Sequence, residues 1–236
     1  MRMSESTTNS TTASHTEPDA GRSNVGAFAR LRAVLANPRF HVVLLVAGSL
    51  FLLTDAFHGN IWFDESYSVG IANHSFADIW YYSSGDVHPV LIYWALHVLN
   101  LVFGQNITVY RLFTVAGAIA LATLGYTHVR RDSGWKVGVL FSFFALFTPY
   151  ISLMSVEIRM YSWATFAVML CFIYAMRIIG MQLSVTPPAI AQAAKGKMCW
   201  AGTPRSWWLT CFIASLACAY LHYFGAMSAF MINLVL

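Results

Sequence analysis

The chain sets two adjacent carboxylates, Asp64 and Glu65, among aromatic residues in the segment IWFDESYSVGIA. A partly desolvated carboxylate beside Trp62 and Phe63 is suited to general-base work, taking the proton of an acceptor hydroxyl. The same pair also fits a plain helix start, with Asp64 as cap and Glu65 in the first turn, and on these residues alone that plain account is preferred. A second grouping, Glu157-Ile158-Arg159-Met160-Tyr161, holds an acid and a base two residues apart, on different faces of a helix. Arg159 suits a phosphate, because its planar fork makes two charge-assisted hydrogen bonds. The plainer account is a snorkelling pair at a membrane surface, with Tyr161 as an interfacial anchor. For Glu157 the two accounts weigh equally; for Arg159 ligand contact is preferred.

Arg111 opens a long apolar run, ITVYRLFTVAG, and its nearest counter-charges are the acids of the preceding loop. It either locks that loop to the helices or contacts a ligand. Asp86, His88 and His222 are a carboxylate and two imidazoles of the kind that binds a divalent metal, though no i,i+4 spacing supports the set. The cysteines (Cys171, Cys199, Cys211, Cys218) show no metal-type or paired spacing and read as small apolar residues. Asn73-His-Ser75 and Asn106-Ile-Thr108 match the N-glycosylation pattern.

The elements that must position these residues are membrane helices. The 236 residues are 58% hydrophobic and only 10% charged, with a mean hydropathy of +0.58. A soluble domain carries about 25% charged residues. Residues 1–38 form a polar leader: a Ser/Thr-rich part expected to be disordered, then a stretch with Arg30, Arg32 and Arg39. Those arginines precede the first apolar run, 40–57, and predict a cytoplasmic N-terminus. From Asp55 to His88 there are five acids and no Lys or Arg, as expected of an external loop.

Further apolar runs cover 89–103, 108–128, 137–155, 160–178 and 207–236. The run 89–103 is about 22 Å long as a helix, against roughly 30 Å of hydrocarbon. It also follows His88-Pro89 and contains His97. Reading it as an interfacial or re-entrant helix on the outer face puts every basic loop inside. Five spans result (40–57, 108–128, 137–155, 160–178 and 207–222), with a sixth begun, so the chain reads as the N-terminal part of a longer protein. Asp64, Asp86, His88, Glu157 and Arg159 then share the external side. The expected fold is all-α, a polytopic transmembrane bundle of the cell membrane.

The order of FDES, DVHPVLIYW, LFG, YRLFTVAGA, a basic turn and SVEIRMYSW resembles the N-terminal half of a GT-C superfamily glycosyltransferase. The likeness is to the protein O-mannosyltransferase and lipid A aminoarabinose transferase type, and it covers about residues 40–236. It implies extracytoplasmic juxtamembrane helices in the first external loop and a polyprenyl-phosphate sugar donor. It also implies a catalytic carboxylate at Asp64, with Glu65 beside it. Where that family usually has Pro-Pro after a His or Lys, this chain has His88-Pro89-Val90. The resemblance further implies a plasma membrane of bacterial type, a lipid, polysaccharide or protein acceptor, and no nucleic-acid partner. Donor contacts are expected from His88, Arg111, Glu157, Arg159 and His222. A phosphate leaving group carries its own charge away, so no nucleotide-binding Gly-rich loop is required.

The rival reading is a transporter or lipid flippase fragment. That function needs polar residues near span midpoints, often at Gly or Pro breaks. Here they cluster at the outer ends and in one acidic loop.

Overall fold

The computed structural model describes residues 20–57, 60–86 and 88–236, with side chains from Gly26 onward. The expectation of disorder for the leader, residues 1–38, lies outside these as far as residue 19 and is corrected beyond it, where the chain is helical. Residues 20–36, which belong to the polar leader, form a helix, α1 (Ala20–Ala36). Helix α2 (Pro38–Thr54) follows at once: Asn37 caps it by accepting from the Arg39 N–H at 2.9 Å, and Pro38 occupies its first turn. Three short helices come next, α3 (Phe63–Ala72), α4 (Phe76–Ser84) and α5 (Leu91–Phe103). Ser75 caps α4 through the Asp78 N–H.

Helix α6 (Ile107–Ser133) is capped by Asn106 and carries a π-helical turn at Gly125–Val129. It is followed by α7 (Trp135–Phe147) and α8 (Pro149–Val156), which meet at a 58° bend. Pro149 causes that bend, because it holds Thr148 extended and cannot continue the α7 hydrogen-bond ladder. Helix α9 (Tyr161–Gln182) leads to the short α10 (Pro188–Ala194), then α11 (Arg205–Leu221) and α12 (Tyr223–Leu234). A two-residue hairpin (Cys199–Trp200 with Thr203–Pro204) is a small departure from an all-α chain. Ala201 and Gly202 supply the positive φ of its turn.

Three helical segments, Pro38–Phe57, Ile107–Ser133 and Tyr161–Gln182, are long and apolar enough to cross a membrane, and the bent α7–α8 pair would make a fourth. The fifth expected span, 207–222, is not among them: α11 has 17 residues, about 25 Å of helix. Helix α5 has 13 residues, about 20 Å, and matches the short helix expected at 89–103.

Side-chain pairs fix the direction of each pass. The Ala36 carbonyl accepts from Arg130, and Arg177 of α9 pairs with Asp132 at 2.8 Å, so these groups mark one end of the body. At the other end Arg111 donates to the Asn60 carbonyl at 2.6 Å, beyond the end of α2. Helix α2 therefore runs from the basic end toward Asn60. Helices α6 and α9 run the opposite way, and α7–α8 return between them. Helix α5 begins and ends at the Arg111 end: His97 bonds the Ala72 carbonyl at 2.9 Å, and Asn100 donates to Asn73 at 2.8 Å.

Small residues let these helices approach closely. A Cβ added at Gly48 would lie 2.6 Å from Leu146 Cδ1, so α2 sits directly against α7. Leu52, Val115, Ala118, Leu121 and Leu146 fill the core between them. Cys171 and Cys211 do pair in space, with sulfurs 3.8 Å apart across α9 and α11, although their sequence spacing gives no hint of it. Outward faces are apolar as well: Val43, Leu50, Phe144, Phe212 and Phe230 are all exposed.

Candidate functional site

The site lies where α3, the start of α6, the α8–α9 junction and the α11–α12 turn meet. Helix α3 carries Asp64 and Glu65 in its first turn, and Trp62, not Asp64, occupies the cap position. Successive residues on a helix point about 100° apart, and the two carboxylates separate accordingly. Glu65 turns inward and is 2% exposed. It accepts from Arg111 Nε at 3.1 Å and Nη2 at 2.8 Å, from the Ile158 N–H at 3.2 Å and from the Trp62 N–H at 3.3 Å. A carboxylate whose lone pairs are filled this way is an anchor and not a free base. This geometry gives Glu65, expected to be catalytic, a bracing contact, and it ties Arg111, read as either lock or ligand contact, to α3.

Asp64 keeps 36% of its side chain exposed. Its ion-pair partner is Arg159, whose Nη2 lies 3.3 Å from Asp64 Oδ1. Arg159 stands on a break in the chain. Helix α8 ends at Val156, Glu157 is extended, and Ile158 and Met160 are fully buried on either side of the arginine. Arg159 is itself 5% exposed, and its Nε and Nη1 groups have no hydrogen-bond partner among the described residues. Buried guanidinium N–H groups left unpaired are costly, about 1–3 kcal/mol each, and such groups are satisfied by a water, an ion or a ligand.

Glu157 is half-buried, and burial raises its carboxyl above the ordinary value; the charges of Glu65 and Asp64 act the same way and Arg159 opposes them. Asp86 receives the Tyr93 hydroxyl at 2.9 Å and lies 3.6 Å from His88 Nδ1. Burial lowers the His88 imidazole below 6.5, Arg159 adds to the effect, and Asp86 opposes it. Burial likewise raises the phenols of Tyr93 and Tyr67, with Asp86 contributing to both. His222 sits edge-on to His88, ring centroids 5.8 Å apart, and 6.0 Å from the Tyr161 ring. Its Nδ1 accepts from the Phe224 N–H at 3.0 Å and so caps α12.

Every residue expected at the site is thus at this end of the body. Asp64, Arg159, His88 and His222 form one neighbourhood, and Glu65 and Arg111 brace it. Among the described residues no three His, Cys, Asp or Glu side chains are placed to hold a metal ion. Asp86, His88 and His222 are therefore neighbours without forming a metal centre. Tyr67 and Tyr93, which orient Asp86, escaped sequence reasoning. The i,i+3 spacing of Tyr67 from Asp64 was the available signal.

Three of the cavities near the site are lined by α9. Two, of about 220 and 300 Å³, share Tyr161 and Thr165 in the first turns of α9. The third is an apolar groove of about 400 Å³ between α5, α6, α9 and α11. It begins at Ile92 and Leu221, the neighbours of Tyr93 and His222, and is lined further along by Phe113, Trp163 and Leu170. Comparison of the chain with protein-family models, curated proteins and solved structures finds no match.

Proposed function

We propose that this is a multi-pass membrane glycosyltransferase, moving a sugar from a polyprenyl-phosphate donor to an acceptor hydroxyl outside the cytoplasm. The observation that carries the reading is Arg159, buried with two unpaired N–H groups beside a half-exposed carboxylate. A phosphate fills both needs of that guanidinium at once. The apolar groove that starts at Ile92 and Leu221, the chain neighbours of Tyr93 and His222, is of a kind to take a lipid chain. Polar groups cluster at one end of the body and not at span midpoints, which favours transfer over transport.

In this account Arg159 binds the donor phosphate and neutralises the charge that builds on it as the glycosidic bond breaks. Asp64 accepts the acceptor hydroxyl proton as the oxygen attacks the anomeric carbon. One displacement of this kind inverts the anomeric centre. Glu65, held by Arg111 and the Ile158 N–H, positions both the start of α3 and the Arg159 segment. Helices α3–α5 form the juxtamembrane layer of the first external loop, with the N-terminus and the Arg130–Lys136 turn in the cytoplasm.

The test is transfer of a radiolabelled sugar from a polyprenyl-phosphate donor by membranes carrying the protein or its Asp64→Asn variant. The variant should insert normally and lose about 10²- to 10⁴-fold in rate, the usual contribution of a general base. Activity within a few-fold of the parent removes Asp64 as the base.

A further inference from the structure

We infer that α1 is an amphipathic anchor that lies on an anionic lipid surface just ahead of the first span. The inference rests on the membrane placement proposed above, and not on the transfer chemistry.

Phe28, Leu31 and Leu35 fall within an arc of about 60° on this helix, at 100° per residue. Phe28 is 72% and Leu31 54% exposed, while Leu35, near the end of the helix, is half-buried. Such an apolar stripe needs a covering surface. Charge identifies it: from Ala20 to Thr54 the chain carries Arg22, Arg30, Arg32 and Arg39 and no Asp or Glu. Arg30 points away from the stripe and Arg32 flanks it, where a long side chain can keep its head group in the phosphate layer. Arg22, Ser23, Asn24, Arg30 and Arg32 make α1 too polar to cross a bilayer, while the continuous stripe suits a helix lying in the interface.

Position agrees with this. Only Asn37 separates α1 from α2, so the helix ends where the first candidate span begins. The Ala36 carbonyl is held by Arg130, in the same basic turn that carries Arg131 and Lys136. A negatively charged leaflet attracts each such cation by an amount worth roughly a fivefold change in partition.

The experiment uses the full chain in lipid nanodiscs with Cys199→Ser, which removes the one exposed native thiol and leaves the three buried ones. A fluorophore is attached at Leu31→Cys on the stripe, at Ala33→Cys off it, or at Val43→Cys in α2, and doxyl-labelled lipids quench it. With phosphatidylglycerol present, quenching should be strong at 31 and 43 and weak at 33. Arg30→Gln with Arg32→Gln should weaken partition at 31 about fivefold per arginine removed. Quenching at 43 with none at 31, or equal quenching at 31 and 33, overturns the anchor while leaving α2 in the membrane. Equal quenching at 31 in pure phosphatidylcholine overturns the anionic preference. No quenching at 43 overturns the membrane placement and the anchor with it.

Discussion

Arg159 reaches Asp64 through a single contact, Nη2 to Oδ1 at 3.3 Å, with the arginine buried and 36% of the carboxylate's side chain exposed. Arg111 makes a fork-to-fork pair with Glu65 one residue along the chain. Two arginines meeting two adjacent carboxylates in such different ways divide the labour of the site. One pair is closed and structural. The other is loose, half-exposed and short of partners.

The closed pair gives a stability prediction. Glu65→Gln should destabilise the protein by about 3–5 kcal/mol, the cost of leaving a buried Arg111 without its counter-charge. The double variant Glu65→Leu with Arg111→Met should recover part of that loss, since it removes both charges together but leaves the Ile158 and Trp62 N–H groups and the Asn60 carbonyl without these partners. Thermal unfolding in detergent measures both. Equal losses for the single and double variants would show that the pair is not the anchor described.

His88 gives a pH prediction. Its folded value is below 6.5, so at pH 7 the imidazole is neutral. As pH falls below about 6.5 the unfolded chain takes up a proton that the folded chain resists, and stability without ligand declines. An anion bound beside Arg159 and His88 favours the imidazolium, so the complex binds a proton that the free protein does not. Affinity for a polyprenyl-phosphate sugar, a diester that stays a monoanion across this range, should therefore rise as pH drops from 7 toward 5.5, and His88→Asn should flatten the rise. Affinity that is flat in the parent, or that climbs with pH, contradicts a His88 contact to the anion.

The two ends of the body give a topology prediction. Ser84 is exposed at the site end, and Ser133 and Cys199 are exposed at or beyond the basic turn. In intact cells an impermeant thiol reagent should label Ser84→Cys, and leave Ser133→Cys and native Cys199 unlabelled until the membrane is opened. Labelling of Ser133→Cys in intact cells would put the basic turn outside, against the proposed orientation.

Much of this was legible in the sequence for a simple reason: charge parity and helix length are properties of segments. They pointed to a short helix within 89–103 and to Asp64, Arg159 and His88 at one end, as found. What sequence could not resolve depends on the rotation of single residues. Asp64 and Glu65 are indistinguishable as letters; Glu65 is distinguished by Arg111, 46 positions away, and by a backbone N–H at Ile158. Arg111 was undecided for the same reason. The Cys171–Cys211 contact was hidden because it joins residues 40 positions apart. The Asp86–Tyr93 bond was hidden among the chain's eleven tyrosines. Helix α1 was obscured by its polar composition, which reads as a leader until Phe28, Leu31 and Leu35 are placed on one face.

The most direct test of the account is donor binding at Arg159, measured by titrating the purified protein with a polyprenyl phosphate and with the uncharged polyprenol of the same length. A charge-assisted hydrogen bond is worth about 1.5–3 kcal/mol. Arg159→Ala should therefore weaken phosphate binding by roughly ten- to a hundredfold, with Arg159→Lys restoring part of the loss as a point charge without the fork. Polyprenol should bind weakly to all three proteins. Phosphate affinity unchanged in Arg159→Ala, or equal affinity of the parent for phosphate and alcohol, would contradict the assignment of this arginine to the donor.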